Sequence, residues 1–122
     1  MIVDEAKTWT GVPYFNGGGP NSTKEKADCS GATWNIYKNA GFPYKYSPAS
    51  SFGKSDRFKP VPGNIPQQGD VGRWSGHVLI YDVNAGGKND SWSARREGIN
   101  FGPAQSAWWG PNVTWYRYDK PE

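Results

Sequence analysis

The stretch DCSGATWNIYKNAGF, Asp28 to Phe42, decides how the chain is read. Ala32, Ile36, Tyr37 and Ala40 recur near a 3.6-residue period, which predicts a helix over residues 30–40. Gly41 suits the position just past its end, and Pro43 forbids continuation. Asp28 is a natural N-cap. Cys29, the chain's one cysteine, therefore stands at the start of the helix, near unpaired backbone N–H groups and the positive end of the dipole. Both favour thiolate over thiol, and Ser30-Gly31 leaves the sulfur uncrowded. Two readings stay open at this point: Cys29 is an activated nucleophile, or it is a small buried hydrophobe.

The rest of the composition narrows the frame. The chain has 122 residues, enough for one domain with one core, and its 35% apolar content is low. Aromatics reach 16%, with seven Trp and seven Tyr, so a core closed by large rings is expected. Sixteen Gly and ten Pro point to tight turns and short elements, not a helical bundle. The net charge of +3 is spread without a basic run, so no nucleic-acid partner is expected. A single cysteine excludes an internal disulfide and a multi-thiolate zinc site, and no cofactor is implied. No stretch has the length of a membrane span. The first residues lack the basic start and apolar run of a secretory signal. The expectation is a monomer that either acts inside the cell or leaves it by a route without a signal peptide.

Along the chain, Asp4 to Thr10 reads as a short helix stopped by Gly11 and Pro13. Residues 15–27 form a polar, glycine-rich loop. It lacks the Gly-Lys-Ser/Thr of a phosphate loop. Residues 44–68 are turn-rich, with one helical turn over Ser47 to Phe52. Strands are expected over Asp70 to Trp74 and His77 to Val83, joined by Ser75-Gly76. HVLIYDV, apolar on both sides of the strand, should lie centrally. A loop over Asn84 to Asp90 separates it from a strand over Ser91 to Arg95, and the last strand spans Val113 to Asp119. Helices first and antiparallel strands second indicate an α+β fold. Asp70 reads as a turn residue. Trp92, Trp108, Trp109 and Trp115 read as packing residues or as a groove for a sugar or peptide, and Arg95-Arg96 as a solvated pair or a clamp for a substrate carboxylate.

The one histidine, His77, follows Gly76 at the head of the most apolar strand, where an imidazole can face a cleft. A thiol and an imidazole are the minimum for a cysteine nucleophile with its base. Four blocks in order carry more: GVPYFNGG (Gly11 to Gly18), DCSGATWNIYKNAGF (Asp28 to Phe42), QQGDVGRWSGHVLIYD (Gln67 to Asp82) and SWSAR (Ser91 to Arg95). Together they resemble the NlpC-type family of cell-wall cysteine peptidases. The resemblance implies a papain-like α+β fold, the cysteine helix packed on an antiparallel sheet of five or six strands that bears the histidine.

Residue by residue, the resemblance implies Cys29 as nucleophile and His77 as general base and then acid. Tyr14 would turn its phenol toward the thiol, with Asp28, Ser30 and the backbone N–H groups around Cys29 forming the oxyanion and substrate positions. The third position, which in the family orients the imidazole through its far nitrogen, carries His, Asn or Gln; here Ser93 falls in that slot, with Asn89 and Asp90 as alternatives. The implied activity is cleavage of an amide in the peptidoglycan stem peptide. Small size and aromatic density are similar to amidase toxins delivered into rival bacteria, which would imply periplasmic action and an immunity protein as partner. Two other classes remain beside this: a non-catalytic module presenting aromatics to glycan or protein, and a thiol acyltransferase.

Overall fold

The structure, a computed structural model, describes residues 1–53, 57–94, 98–110 and 112–119. Helix α1 spans Ile2–Lys7 and α2 spans Cys29–Asn39. Six strands follow: β1 (Phe58–Pro60), β2 (Val71–Trp74), β3 (His77–Gly86), β4 (Asn89–Ser93), β5 (Gly102–Ala104) and β6 (Thr114–Tyr118). They form one antiparallel sheet in the order β1-β6-β2-β3-β4-β5.

The α2 boundaries follow from capping chemistry. Asp28 adopts extended backbone and accepts the Gly31 N–H on its carboxylate. At the other end Gly41 sits at φ 95°, its N–H bonding the Lys38 carbonyl at 3.1 Å and the Phe42 N–H bonding that of Tyr37 at 2.8 Å. This paired pattern is a Schellman motif, which only a residue at ease with positive φ completes cheaply. The face expected from the sequence is the buried one: Ala32, Ile36 and Tyr37 are sealed, and Ala40 lies at its margin.

β3 is covered on both faces, as its apolar run requires. Val78 and Ile80 point to the main core, which also holds Ala32, Ile36, Tyr37, Phe52, Phe58 and Trp92. Leu79 packs in a second, smaller cluster with Val61, Val113 and Trp115, flanked by Tyr81. The main core is a lattice of rings more than of aliphatics. Tyr37, Tyr44, Phe52, Phe58 and Tyr118 meet at centroid distances of 4.7 to 5.9 Å, most of them edge-on or tilted. Those are the arrangements that the ring quadrupole favours.

Several expectations need correcting. α1 begins at Ile2 and gives way to turns after Lys7. Residues 84–90 are not a loop: β3 continues to Gly86, β4 starts at Asn89, and Gly87-Lys88 alone make the turn. Gly87, the first residue of that turn, takes positive φ, as the leading position of a two-residue hairpin needs. The turn-rich stretch hides strand β1, and β5 follows the segment that contains Arg95 and Arg96, which lies outside the described residues. Both missed strands have three residues and carry a proline, too short for any alternation to register.

Candidate active site

The first turn of α2 is held by its cap on two sides. Asp28 Oδ1 accepts the Gly31 N–H at 2.7 Å, and Oδ2 accepts the Gly19 N–H at 2.8 Å. The carboxylate therefore docks the 3₁₀ turn Gly19–Asn21 against the helix start. Gly31 makes that docking possible, since a Cβ there would collide with Ser22 Oγ and the Gly19 carbonyl oxygen. The glycine serves close approach of a neighbouring turn, whereas the sequence suggested only room around the sulfur.

Cys29 opens onto a cleft of about 430 Å³. Tyr14, Asp28, Ser30, Tyr46 and Gly76 line it with the cysteine, and Pro48 to Ser50 form a further wall. Tyr14 is carried to the rim by a bridge to Ala27, two residues before the cysteine. That wall is fixed from behind. Arg73 of β2 donates from Nε to the Ala49 carbonyl at 2.9 Å and from Nη2 to that of Ser50 at 2.7 Å.

The thiol is a nearly buried group, 7% exposed. Burial is the largest influence on it and pushes its pKa up to about 11, aided by the Asp28 carboxylate. Three backbone N–H groups work the other way, those of Val78, Ser30 and Cys29 itself. The resting state is thus a neutral thiol at pH 7, contrary to the thiolate that helix position alone suggests. Desolvation outweighs the dipole. The Val78 contact places the sulfur at the head of β3. Pairing of β3 with β4 reaches Ile80–Trp92 on this side, and beyond it the Val78 N–H meets the thiol.

His77 is the residue before Val78 and is 6% exposed, and Gly76, the residue before it, lines the cleft. Its Nε2 lies 2.8 Å from Ser93 Oγ, and the same hydroxyl donates to the Val78 carbonyl at 3.1 Å. With the hydroxyl donating to that carbonyl, its lone pairs would face the ring, the proton would sit on Nε2 and Nδ1 would be the accepting nitrogen. Of the three candidates for the slot beside His77, Ser93 is the one in contact. Asp90 instead accepts the Ser106 N–H and hydroxyl at 2.7 and 2.6 Å, and Asn89 opens β4 opposite Gly86.

The remaining candidates divide. Ser30 Oγ pairs with the Tyr46 hydroxyl at 2.9 Å. Tyr46 itself was not legible from sequence, since it stands in a turn-rich stretch without a motif. Its phenol is held above the usual tyrosine range, by burial first and then by Asp28 and Cys29, so it stays protonated and able to donate. Asp28 lines the cleft, but both carboxylate oxygens serve backbone N–H groups, which makes it a cap and not an oxyanion donor. Asp70 is structural, gripped by Arg117 at 3.0 and 2.9 Å. Trp92 stacks on Phe101 and bonds Asp82, and Trp115 packs on Tyr81. Both are buried, whereas Trp108 is half exposed, and the Trp109 side chain lies outside the described residues.

Among solved structures the chain is similar to a Staphylococcus aureus protein described as similar to lipoprotein of the NLP/P60 family, with a TM-score of 0.68 and 25% identity over 98% of this chain. The chain spans 41% of that protein's length. It is also similar to the NlpC/p60 domain of the peptidoglycan hydrolase SagA, with a TM-score of 0.65, 26% identity and 93% of each chain covered. No protein-family model and no curated protein matches the sequence. With the cysteine helix laid on a six-stranded antiparallel sheet headed by the histidine, the architecture is that of an NlpC/P60 domain, as the four sequence blocks imply.

Proposed function

We propose that this protein is a cell-wall hydrolase that cleaves an amide bond of the peptidoglycan stem peptide through Cys29. One observation carries the reading: the cleft-lining thiol meets the Val78 N–H, and the adjacent His77 is held by Ser93 through Nε2. The similarity to SagA, a peptidoglycan hydrolase, supports the substrate class.

The chemistry follows from the resting thiol. As Sγ attacks the amide carbonyl, His77 Nδ1 takes the thiol proton, and the new C–S bond leaves an oxyanion on the former carbonyl oxygen. The backbone N–H groups of Cys29 and Ser30, with a phenol from Tyr14 or Tyr46, are the donors at hand for that charge; each such donor is worth about 3 kcal/mol. The imidazolium returns its proton to the departing nitrogen as the C–N bond breaks. A water, deprotonated by the same ring, then opens the thioester to a carboxylate and restores the thiol.

Digestion of purified peptidoglycan, followed by mass spectrometry of the products, tests this. Wild type should release fragments with new peptide ends, and Cys29→Ala should release none. Wild type and Cys29→Ala that bind peptidoglycan equally and release no fragments would point to the non-catalytic binding module instead. Unchanged muropeptides from folded wild type would refute the hydrolase reading.

The finer reading is an antibacterial effector acting in the periplasm, with a dedicated immunity protein seated over the Cys29 cleft. Expression directed to the periplasm should lyse cells, while the same chain kept in the cytoplasm should be tolerated. Equal tolerance of both would remove the effector role and leave the hydrolase.

A further inference from the structure

Trp74 and His77 close the β2–β3 hairpin, paired directly opposite one another around the two-residue turn Ser75-Gly76. Residues so paired project from the same face, their Cβ atoms about 5 Å apart. Their exposures differ sharply: Trp74 is 37% exposed and His77 only 6%. A ring at a hairpin tip is wet unless something covers it. On the β4 side, Ser93 holds Nε2. On the β2 side, Arg73 turns to the opposite face, bound to the Ala49 and Ser50 carbonyls, and Gly72 has no side chain. The register therefore brings Trp74 and His77 to the same face at the end of the hairpin.

We propose that Trp74 is a positioning residue for His77, its indole shutting water from the ring and blocking rotation away from the thiol. The inference rests on the cysteine–histidine reading above. Its logic is that of a weak orienter reinforced by packing. A serine hydroxyl gives the ring one short polar contact, at Nε2, which fixes an atom more than a plane. A broad apolar plate beside the ring restrains that plane at little entropic cost, because indole has two rotatable bonds.

Two measurements on wild type, Trp74→Ala and Trp74→Phe test it. Diethyl pyrocarbonate acylates imidazole, and the chain's one histidine makes the labelled site unambiguous by mass spectrometry. Trp74→Ala should label several-fold faster than wild type, and Trp74→Phe at close to the wild-type rate. In peptidoglycan digestion, Trp74→Ala should lose kcat several-fold with KM little changed, and Trp74→Phe should recover most of the loss. A folded Trp74→Ala with wild-type labelling and turnover overturns the proposal, as does a Trp74→Phe no better than alanine. If Trp74→Ala does not fold, Trp74→Leu, which keeps apolar bulk without the plate, takes its place in both comparisons. The labelling does not depend on activity. A wild type that leaves peptidoglycan intact, beside a Trp74→Ala that still labels faster, sinks the hydrolase reading and leaves the shielding in place.

Discussion

At the scale of single residues, the thiol is where two physical effects compete and where the outcome has a measurable sign. Helix position and three backbone N–H groups favour the anion, while burial and Asp28 oppose it, and the opposition wins by raising the pKa from 9.0 to about 11. An acid whose folded pKa is raised holds its proton longer in the native state. Its stability contribution is complete below pH 9 and is lost as pH rises toward 11. Two pH units correspond to about 2–3 kcal/mol. Urea unfolding at pH 8 and at pH 11 should therefore show wild type losing more stability than Cys29→Ala by about that amount. The raised Tyr37 and Tyr44 phenols act in the same direction in both proteins and cancel in the difference, whereas Tyr46, raised in part by Cys29, adds to it with the same sign. Equal losses would mean that the sulfur is better solvated or better paired than its surroundings indicate. Cys29 and His77 could be found from sequence because one stands at a capped helix start and the other follows a glycine at a strand head; Ser93 came only from the resemblance, with Asn89 and Asp90 beside it. Tyr46 and Arg73 could not be found that way, because their partners Ser30 and Ala49 lie 16 and 24 positions away.

At the scale of elements, α2 was legible almost to the residue because its signals are local: a cap, a 3.6-residue period and a terminal glycine. Its role in placing the nucleophile depends on a contact no period encodes, the turn Gly19–Asn21 pressed against Gly31. Gly31→Ala brings a Cβ into the Ser22 hydroxyl and the Gly19 carbonyl, so the turn must move or the helix start must shift. Overpacking of this kind costs about 1–3 kcal/mol. The Asp28–Gly19 bond at 2.8 Å, which ties the same two elements, should weaken with it. A helix-interior glycine exchanged for alanine normally gains about 1 kcal/mol, so the sign itself is diagnostic. Denaturant unfolding should show Gly31→Ala destabilised; a gain would mean that the turn yields freely. The short strands β1 and β5 mark the other limit, since each is defined by its partner in the sheet and by nothing in its own residues.

At the scale of the whole molecule, the sheet must keep its strands in register for the mouth of the cleft to keep its shape, and the link between β6 and the entry to β2, its neighbour in the sheet, does part of this. Asp70 is buried, accepts the Gln67 N–H at 2.7 Å, and is gripped by both Nε and Nη2 of Arg117 from β6. Asp70 directly precedes β2, whose Arg73 in turn pins the cleft wall, so one carboxylate connects the last strand to the site. The sequence marked Asp70 as a turn residue, which is its local half; the partner 47 positions away was out of reach. Removing Arg117 leaves a carboxylate at 4% exposure with one backbone donor, whereas the arginine itself is 40% exposed and returns readily to water. The cost is dominated by the stranded anion, about 1–3 kcal/mol. Arg117→Lys keeps the charge but not the two-pronged grip and should fall between wild type and alanine. The contact between Lys24 and Glu5, at 3.9 Å with Lys24 half exposed, supplies the contrast. Lys24→Ala should cost well under 1 kcal/mol, since solvent screens such a pair. Unfolding of the two alanine variants side by side separates the cases: similar losses would show that Asp70 is solvated after all, and that the sheet does not depend on this tie to hold the cleft.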